Sequence, residues 1–147
     1  DIDNSCVIKY CKNEALNLIL SSYADQAKES GIDVRISVTA TNFTRFQITD
    51  LCSLFANALE NAIHACEKIP TSEKRYITLK VFEKNDRICI NIANNYIQNP
   101  VFENEIPTSR EANHGIGVRS MISVVEKYHG VYGFFTENKE FRFQASL

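Results

Sequence analysis

The chain has 147 residues and a formal net charge of −2, with acidic and basic residues interspersed. A domain of this length buries roughly two thirds of its unfolded surface, so one hydrophobic core is sufficient. The balanced charge excludes a wide basic face for nucleic acid. No run of about 20 apolar residues is present, so we expect no bilayer span or direct membrane contact, and the polar residues 1–5 do not resemble a signal peptide.

The cysteines predict reduced thiols. Their number is odd and no two form a Cys-x-x-Cys pair (Cys6, Cys11, Cys52, Cys66 and Cys89), which is typical of a cytosolic protein. The three histidines are isolated from one another, so we expect no zinc site. Residues 1–12 show no periodicity. We therefore interpret them as a linker within a longer polypeptide and place the domain at 13–147.

Hydrophobic periodicity predicts the elements of the first half of the chain. Helical spacing over 13–30 predicts a first helix, and strict alternation over 32–39 predicts a half-buried strand. A broad apolar stripe predicts a second helix that is capped by Thr49 or Asp50 and runs to about Lys68. A hairpin follows, with strands at 76–83 and 88–93.

The periodicity fails from 94 to 113, where Asn, Glu, Pro, Thr and Ser dominate. A structureless segment of about twenty residues within a compact domain is unusual, and we interpret this one as a lid over a functional site. A third helix then begins at the Gly115–Gly117 pair and is predicted to end at Gly130. The final hairpin, with strands at 131–135 and 141–147, completes the order α-β-α-β-β-lid-α-β-β. This order favours an α+β fold in two layers, with helices on one face of a mixed, mostly antiparallel sheet.

Two asparagines on the second helix are the most informative polar residues. Asn57 and Asn61 are four residues apart, so their amides project from one face of the helix. Asparagine is a mediocre helix former, and two of them in mid-helix require a reason. Two interpretations fit the pair: a solvated polar stripe whose amides bond nearby backbone groups, or amide oxygens that hold Mg²⁺ beside a polyphosphate.

A Gly-x-Gly motif opens the third helix, within the sequence His114-Gly115-Ile116-Gly117-Val118. Glycines at a helix start let backbone N–H groups approach an anion, which the helix dipole also favours. Such glycines also serve turns, but their position directly after a lid favours a phosphate site. Arg119 is close enough in sequence to add a positive charge beside the same phosphates. Alternatively, it is a charge on the helix surface.

The asparagine at the end of the fifth predicted element is the third candidate. Asn94 follows the strand 88–93 and begins the lid, where a side chain can hydrogen-bond a purine edge. Alone, the pair Asn94-Asn95 is a turn signal.

Four features follow one another along the chain: the helix with the two asparagines, the asparagine at the strand end, the lid, and the helix that opens with Gly-x-Gly. In this order the chain resembles the GHKL superfamily, which includes DNA gyrase, a heat-shock chaperone, mismatch-repair proteins and histidine kinases. Residues 57–62 are similar to the N box of the kinases. The gyrase and chaperone branch has a glutamate where this chain has Asn57, so the resemblance implies phosphotransfer to a protein and not hydrolysis. The chain is most similar to the AgrC-like peptide-sensing kinases, at 51–66, 108–110, 114–120 and 125–130.

The resemblance implies a Bergerat-type ATP-binding fold with an ATP lid, and a role for each matching residue. Asn61 would bind Mg²⁺, and Asn57 would support metal and phosphate, the two forming the catalytic pair. Asn94 stands where most kinases have the aspartate that reads the adenine amino group, and an amide oxygen accepts a weaker hydrogen bond than a carboxylate. The remaining nucleotide-binding residues implied are His64, Thr108, Arg110, His114, Gly115, Gly117, Val118 and Arg119.

The implied function is that of the catalytic domain of a two-component sensor histidine kinase. It would transfer the γ-phosphoryl of Mg-ATP to a histidine on a separate dimerisation domain of the same polypeptide, reached through the linker at 1–12, and act with a response regulator. It would be the cytoplasmic portion of a membrane-bound sensor kinase. None of the histidines in the chain (His64, His114 and His129) has the setting of the acceptor. Two alternatives remain: an anti-sigma-type protein-serine kinase, and a non-enzymatic interaction module with a decayed nucleotide site.

Overall fold

The computed structural model describes residues 8–108 and 114–147. These residues form three helices and seven strands, and none of the helices is both long and apolar enough to cross a bilayer. The elements in chain order are α1 (Glu14–Glu29), β1 (Asp33–Val38), α2 (Ile48–Glu67), β2 (Tyr76–Lys84), β3 (Arg87–Asn95), β4 (Val101–Glu103), β5 (Ile106–Thr108), α3 (His114–Lys127), β6 (Val131–Glu137) and β7 (Glu140–Ser146).

Five strands form one sheet, in the order β1-β2-β3-β7-β6. Only β1 and β2 run parallel within it, and the other neighbours are antiparallel. Alternate residues of the central strands are buried against the helices, whereas Lys80 and Gln144, on the opposite face, are exposed. The predicted α+β fold, with helices packed on a mixed and mostly antiparallel sheet, is confirmed.

A two-residue turn joins β2 to β3, and another joins β6 to β7. Both residues of each turn have positive φ: 53° and 64° at Asn85 and Asp86, and 53° and 64° at Asn138 and Lys139. This is the backbone of a type I′ turn, whose twist matches that of paired strands, and asparagine and aspartate tolerate it. Both turns lie between the strands predicted for each hairpin, at 76–83 and 88–93 and at 131–135 and 141–147.

The predicted caps of α2 are wrong. Its N-cap is Gln47, whose side chain makes no capping hydrogen bond, and Thr49 and Asp50 lie inside the first turn. Instead of capping its own helix, the Asp50 carboxylate accepts hydrogen bonds from Lys127, the last residue of α3, and from Tyr128, which follows it. In α1, by contrast, Asn13 is an ordinary N-cap, whose side-chain oxygen accepts a hydrogen bond from the Leu16 N–H at 3.0 Å.

Part of the predicted lid is regular. Strand β3 continues to Asn95, and β4 and β5 pair as a short hairpin. Three-residue strands are too short to show a periodicity, and Pro107 lies in one of them, so the pattern gave no signal. Residues 96–100 of the predicted lid are irregular, and 109–113 lie outside the described residues.

The end of α3 depends on two residues. His129, and not the predicted Gly130, has the left-handed backbone, with φ of 57°. The N–H of Gly130 donates to the Val125 carbonyl at 2.9 Å. A Cβ at Gly130 would collide with the carbonyl oxygen of Ser146 on β7, so the glycine permits close contact between the helix end and the sheet.

The segment before α1 is packed against that helix. The Oδ1 of the buried Asn17 accepts hydrogen bonds from the N–H groups of Tyr10 and Cys11, at 2.6 and 3.2 Å. Its Nδ2 donates to the carbonyl of Ile8 at 3.3 Å. The cysteines at 11, 52, 66 and 89 are free thiols, as predicted, and Cys6 lies outside the described residues.

Candidate functional site

The two asparagines of α2 meet the first turn of α3. A Cβ built on Gly117 would lie 3.2 Å from the Oδ1 of Asn57 and 3.6 Å from the Oδ1 of Asn61. Both amide oxygens therefore approach the same point of the α3 backbone. Helical spacing placed the two amides on one face of α2, and the packing of α3 on that face brings the glycine to them.

The amide nitrogens of the pair are held by the protein. Asn57 Nδ2 donates to the Ser53 carbonyl one turn earlier, at 2.9 Å, and Asn61 Nδ2 lies 3.8 Å from the sulfur of Met121 on α3. These contacts direct the two oxygens toward the start of α3. Neutral oxygens in a half-buried position are ligands that Mg²⁺ accepts, since this ion keeps several of its waters. The residues present therefore fit a magnesium ion.

The glycine motif lies inside α3. The helix begins at His114, so Gly115 and Gly117 belong to its first turn and do not precede it as a loop. The first N–H groups of a helix have no intrahelical acceptor, and the helix dipole favours an anion beside them. Gly117 also has a packing reason, because a side chain there would press on Asn57. Both reasons require a small residue.

The other residues predicted around the phosphates have varied positions. Val118 is 8% exposed and packs in the core, whereas Arg119 is exposed. His64 is half-buried on α2, three residues after Asn61. Thr108 ends β5 and is exposed, and its hydroxyl donates to the Val101 carbonyl across the hairpin at 3.3 Å. Arg110 and the side chain of His114 lie outside the part of the chain that the structure describes.

Asn94 lies on the face of the sheet that the helices cover. It is 3% exposed, it shares its face of β3 with Ile92, and it is paired with Ile77 of β2 and Phe141 of β7. Its Nδ2 donates to the Asn95 carbonyl at 2.9 Å. The amide is thus held with its nitrogen bonded to the backbone.

Asn95 has a structural role. Its Oδ1 accepts a hydrogen bond from the Tyr76 N–H at 2.9 Å, and its Nδ2 donates to the Lys74 carbonyl at 2.8 Å.

The Cys66 thiol donates to the Tyr76 carbonyl at 3.5 Å, and burial raises the pKa of this thiol to about 11. Cys66 therefore stays protonated near neutral pH and is not a nucleophile.

The hairpin of β4 and β5 contributes an aromatic residue that sequence reasoning missed. Phe102 stacks on Phe141 with ring centroids 6.2 Å apart, and Phe141 is the neighbour of Asn94 across the sheet. The irregular composition of this segment gave no sign that it packs there. A depression of about 750 Å³ lies between the hairpin and β6, but it is lined by none of those predicted site residues that the structure describes.

The fold and this arrangement define the class of protein. The GHKL domain family matches residues 46–147, so the chain belongs to the GHKL family. No curated protein has a sequence that matches the chain significantly.

Solved structures of histidine kinases have a similar fold. The catalytic domain of the histidine kinase ThkA has a TM-score of 0.69 and 16% identity, over 92% of this chain and 90% of that one. The mycobacterial sensor histidine kinase MprB has a TM-score of 0.68 and 13% identity, over 91% of each chain. Full-length ShkA in complex with AMPPNP has a TM-score of 0.60 and 15% identity, over 90% of this chain and 29% of that chain. The chain is thus a GHKL ATP-binding domain whose fold resembles histidine kinase catalytic domains.

Proposed function

We propose that the chain is the catalytic domain of a two-component sensor histidine kinase. It binds Mg-ATP and transfers the γ-phosphoryl group to a histidine on a separate dimerisation domain of the same polypeptide. The observation that carries this proposal is the convergence of the Asn57 and Asn61 oxygens on the first turn of α3. A cation-binding pair and an anion-binding helix start meet at one place, as a metal-bound polyphosphate requires.

Each part of the site has a chemical task. When bound, Mg²⁺ neutralises phosphate charge, which is much of what phosphoryl transfer needs. Asn61 would supply an oxygen to the metal, and Asn57 would support metal and phosphate. The backbone of 115–117 would hold the phosphates, and Arg119 extends positive charge from the next turn. Of the remaining predicted residues, His64, Thr108, Arg110, His114 and Val118 would complete the walls of the nucleotide site.

Asn94 would read the adenine base. It is buried on the helix-covered face, and its Nδ2 is bonded to the backbone, which leaves the amide oxygen as the group suited to accept a hydrogen bond. The exocyclic amino group of adenine is a donor, whereas guanine has an acceptor at that position. An acceptor at Asn94 therefore favours ATP over GTP.

Asn57 at the first N-box position also bears on the reaction. A carboxylate there can act as base for an attacking water, and an amide cannot. This favours transfer to a protein acceptor over ATP hydrolysis. We place the domain in the cytoplasmic part of a membrane-bound kinase of the AgrC-like branch, with a response regulator as the next acceptor.

Phosphotransfer is tested by adding the chain to the segment of its polypeptide that carries the acceptor histidine, with γ-labelled ATP. We expect label on the acceptor that is labile to acid and stable to alkali, as a phosphoramidate is. The Asn61→Ala variant should transfer no label. Asn91→Ala is the matched control: it makes the same change on the face of the sheet that the helices do not cover, and it should transfer label normally.

Other results would favour the alternatives. Acid-stable label on a serine of a partner protein would indicate a protein-serine kinase of the anti-sigma type. Failure of the chain to bind ATP at all would indicate an interaction module. Rapid release of labelled phosphate without an acceptor would contradict the role assigned to Asn57.

A further inference from the structure

The two helices of the candidate site are joined a second time, at the ends remote from it. Asp50, in the first turn of α2, accepts a hydrogen bond from the Tyr128 hydroxyl at 2.5 Å and pairs with Lys127 at 2.8 Å. Gln47 completes this cluster, which we call the helix clamp (Gln47, Asp50, Lys127 and Tyr128). Two of its members, Lys127 and Tyr128, lie within the stretch 125–130, to which the nucleotide site assigns no task.

The clamp supplies the cap that α2 lacks. Gln47 is the N-cap residue and makes no side-chain capping bond, but its backbone N–H donates to the Tyr128 hydroxyl oxygen at 2.9 Å. Its side-chain oxygen accepts from Lys127 Nζ, also at 2.9 Å. The Tyr128 ring packs edge-on against Phe46, with centroids 4.8 Å apart. The end of α3 is therefore fixed to the start of α2 by polar and aromatic contacts.

The charges of the clamp suit the helix ends on which they lie. A carboxylate is favourable near the positive end of α2, and an ammonium is favourable near the negative end of α3. Hydrogen bonds from Lys127 and Tyr128 lower the pKa of Asp50, and the bond to Asp50 raises the pKa of Lys127. The pair is thus charged throughout the physiological range.

The two helices act as arms between the clamp and the site. Asn57 is seven residues beyond Asp50 and Gly117 is ten residues before Lys127, which corresponds to roughly 10 Å and 15 Å of helix. A rotation of about 5° over the longer arm moves the first turn of α3 by about 1 Å. A Cβ on Gly117 would lie only 3.2 Å from the Asn57 oxygen, so there is little space between the two helices here and such a rotation changes the site.

We propose that Asp50 and Tyr128 are positioning residues for the nucleotide site. They hold α3 at the crossing on α2 that brings its first turn to the Asn57 and Asn61 oxygens, and thereby they set the affinity for Mg-ATP. The effect on affinity rests on the proposed function, whereas the effect on the geometry of the amide pair does not.

The test compares three variants with the wild-type chain. Asp50→Ala removes the acceptor of the clamp, and Tyr128→Phe removes only its hydroxyl. Asn17→Ala is the control, because the buried hydrogen bonds that it removes join α1 to the segment before it and involve no clamp residue. Each protein is measured for thermal stability, for Mg-ATP affinity well below the melting temperature, and for the NMR shifts of the Gly117 amide and the Asn57 and Asn61 side-chain amides without nucleotide.

We expect both clamp variants to shift these three resonances and to weaken Mg-ATP binding, by about tenfold for Asp50→Ala, since a misplacement of about 1 Å has effects of this order or larger. Asn17→Ala should lower the thermal stability without changing the three NMR resonances or the Mg-ATP affinity. If the clamp variants lose stability but keep wild-type shifts and affinity, the clamp is structural only and the proposal is wrong. If Asp50→Ala does not fold, Tyr128→Phe decides. If the wild type binds no Mg-ATP, the proposed function fails and the NMR shifts alone decide on the clamp.

Discussion

At the scale of single residues, spacing predicted the amide pair of the candidate site, and packing brings a glycine of α3 to that pair. The four-residue interval between Asn57 and Asn61 predicted two amides on one face, and the structure adds the glycine that their oxygens approach. The packing role of Gly117 could not be predicted, because it depends on how closely a distant helix lies. The aromatic neighbour Phe102 was missed because each strand of its hairpin has only three residues, which is too few to show a pattern.

Gly117→Ala separates the packing role of this glycine from its role beside the nucleotide. We expect stability to change by less than about 1 kcal/mol, because alanine favours the helix by roughly 0.5–1 kcal/mol and its methyl group costs a small shift of the Asn57 side chain. Mg-ATP affinity should fall, since the methyl group lies where the two amide oxygens converge. Denaturant unfolding and titration calorimetry measure the two quantities. Unchanged affinity with a displaced Asn57 would contradict the site.

Asn94→Leu tests adenine recognition. The side chains are similar in size, so the fold should be retained at a cost of about 1–3 kcal/mol for the lost bond to Asn95. The preference for ATP over GTP should disappear in competition binding, because the acceptor is removed. Asn95→Leu is the control: it should lower stability through its bonds to the Tyr76 and Lys74 backbone, and leave the preference intact in the folded protein. The opposite pattern would mean that another residue reads the base.

At the scale of elements, periodicity predicted the helices and long strands but not their ends. The start of α2 was predicted too late in the chain because Asp50 was interpreted as a cap. In the structure its carboxylate instead accepts a hydrogen bond from Tyr128 at the end of α3. A sequence pattern cannot distinguish these uses, since both place aspartate in a first turn. The short hairpin of β4 and β5 was missed because three residues carry no period.

Arg75 joins the ends of two helices, and no pattern identified it. This residue is 8% exposed, and its guanidinium donates to the carbonyls of Ser30, Glu67 and Ile69, at the C-terminal ends of α1 and α2. Arg75→Met keeps the apolar stem and leaves these carbonyls unpaired, so the free energy of unfolding should fall by about 3 kcal/mol. Urea unfolding measures this loss. Arg35→Met, in an exposed ion pair, should cost less than about 0.5 kcal/mol; equal losses would show that Arg75 is not a cap.

The hairpin of β4 and β5 should exchange its amide hydrogens faster than β3 when no nucleotide is present. Its strands have three residues each, and Val101 is 64% exposed, so few buried contacts oppose local opening. An ATP analogue should slow the exchange, because the hairpin lies beside Asn94 through the Phe102–Phe141 stack. Strong and equal protection in both states would identify the hairpin as part of the fixed core and not of a lid.

At the scale of the whole molecule, the order of elements and the layered architecture were predicted from the sequence. The strand order was not, because a period of two identifies a strand and not its partner. The insertion of β7 between β3 and β6 is such a case, since it is decided by pairing across more than forty residues. The family resemblance supplied the catalytic interpretation, and the family match at 46–147 confirms the GHKL part of that resemblance.

The most direct test of the account is the affinity of the chain for ATP with Mg²⁺ and with EDTA, for the wild type, Asn61→Ala and Asn91→Ala. We expect the wild type and Asn91→Ala to bind ATP more tightly with Mg²⁺ than with EDTA. Asn61→Ala should lose this metal dependence while keeping its melting temperature, because its half-buried amide lies outside the apolar core. Metal-dependent binding by Asn61→Ala at wild-type affinity would contradict the magnesium site, and with it the central claim.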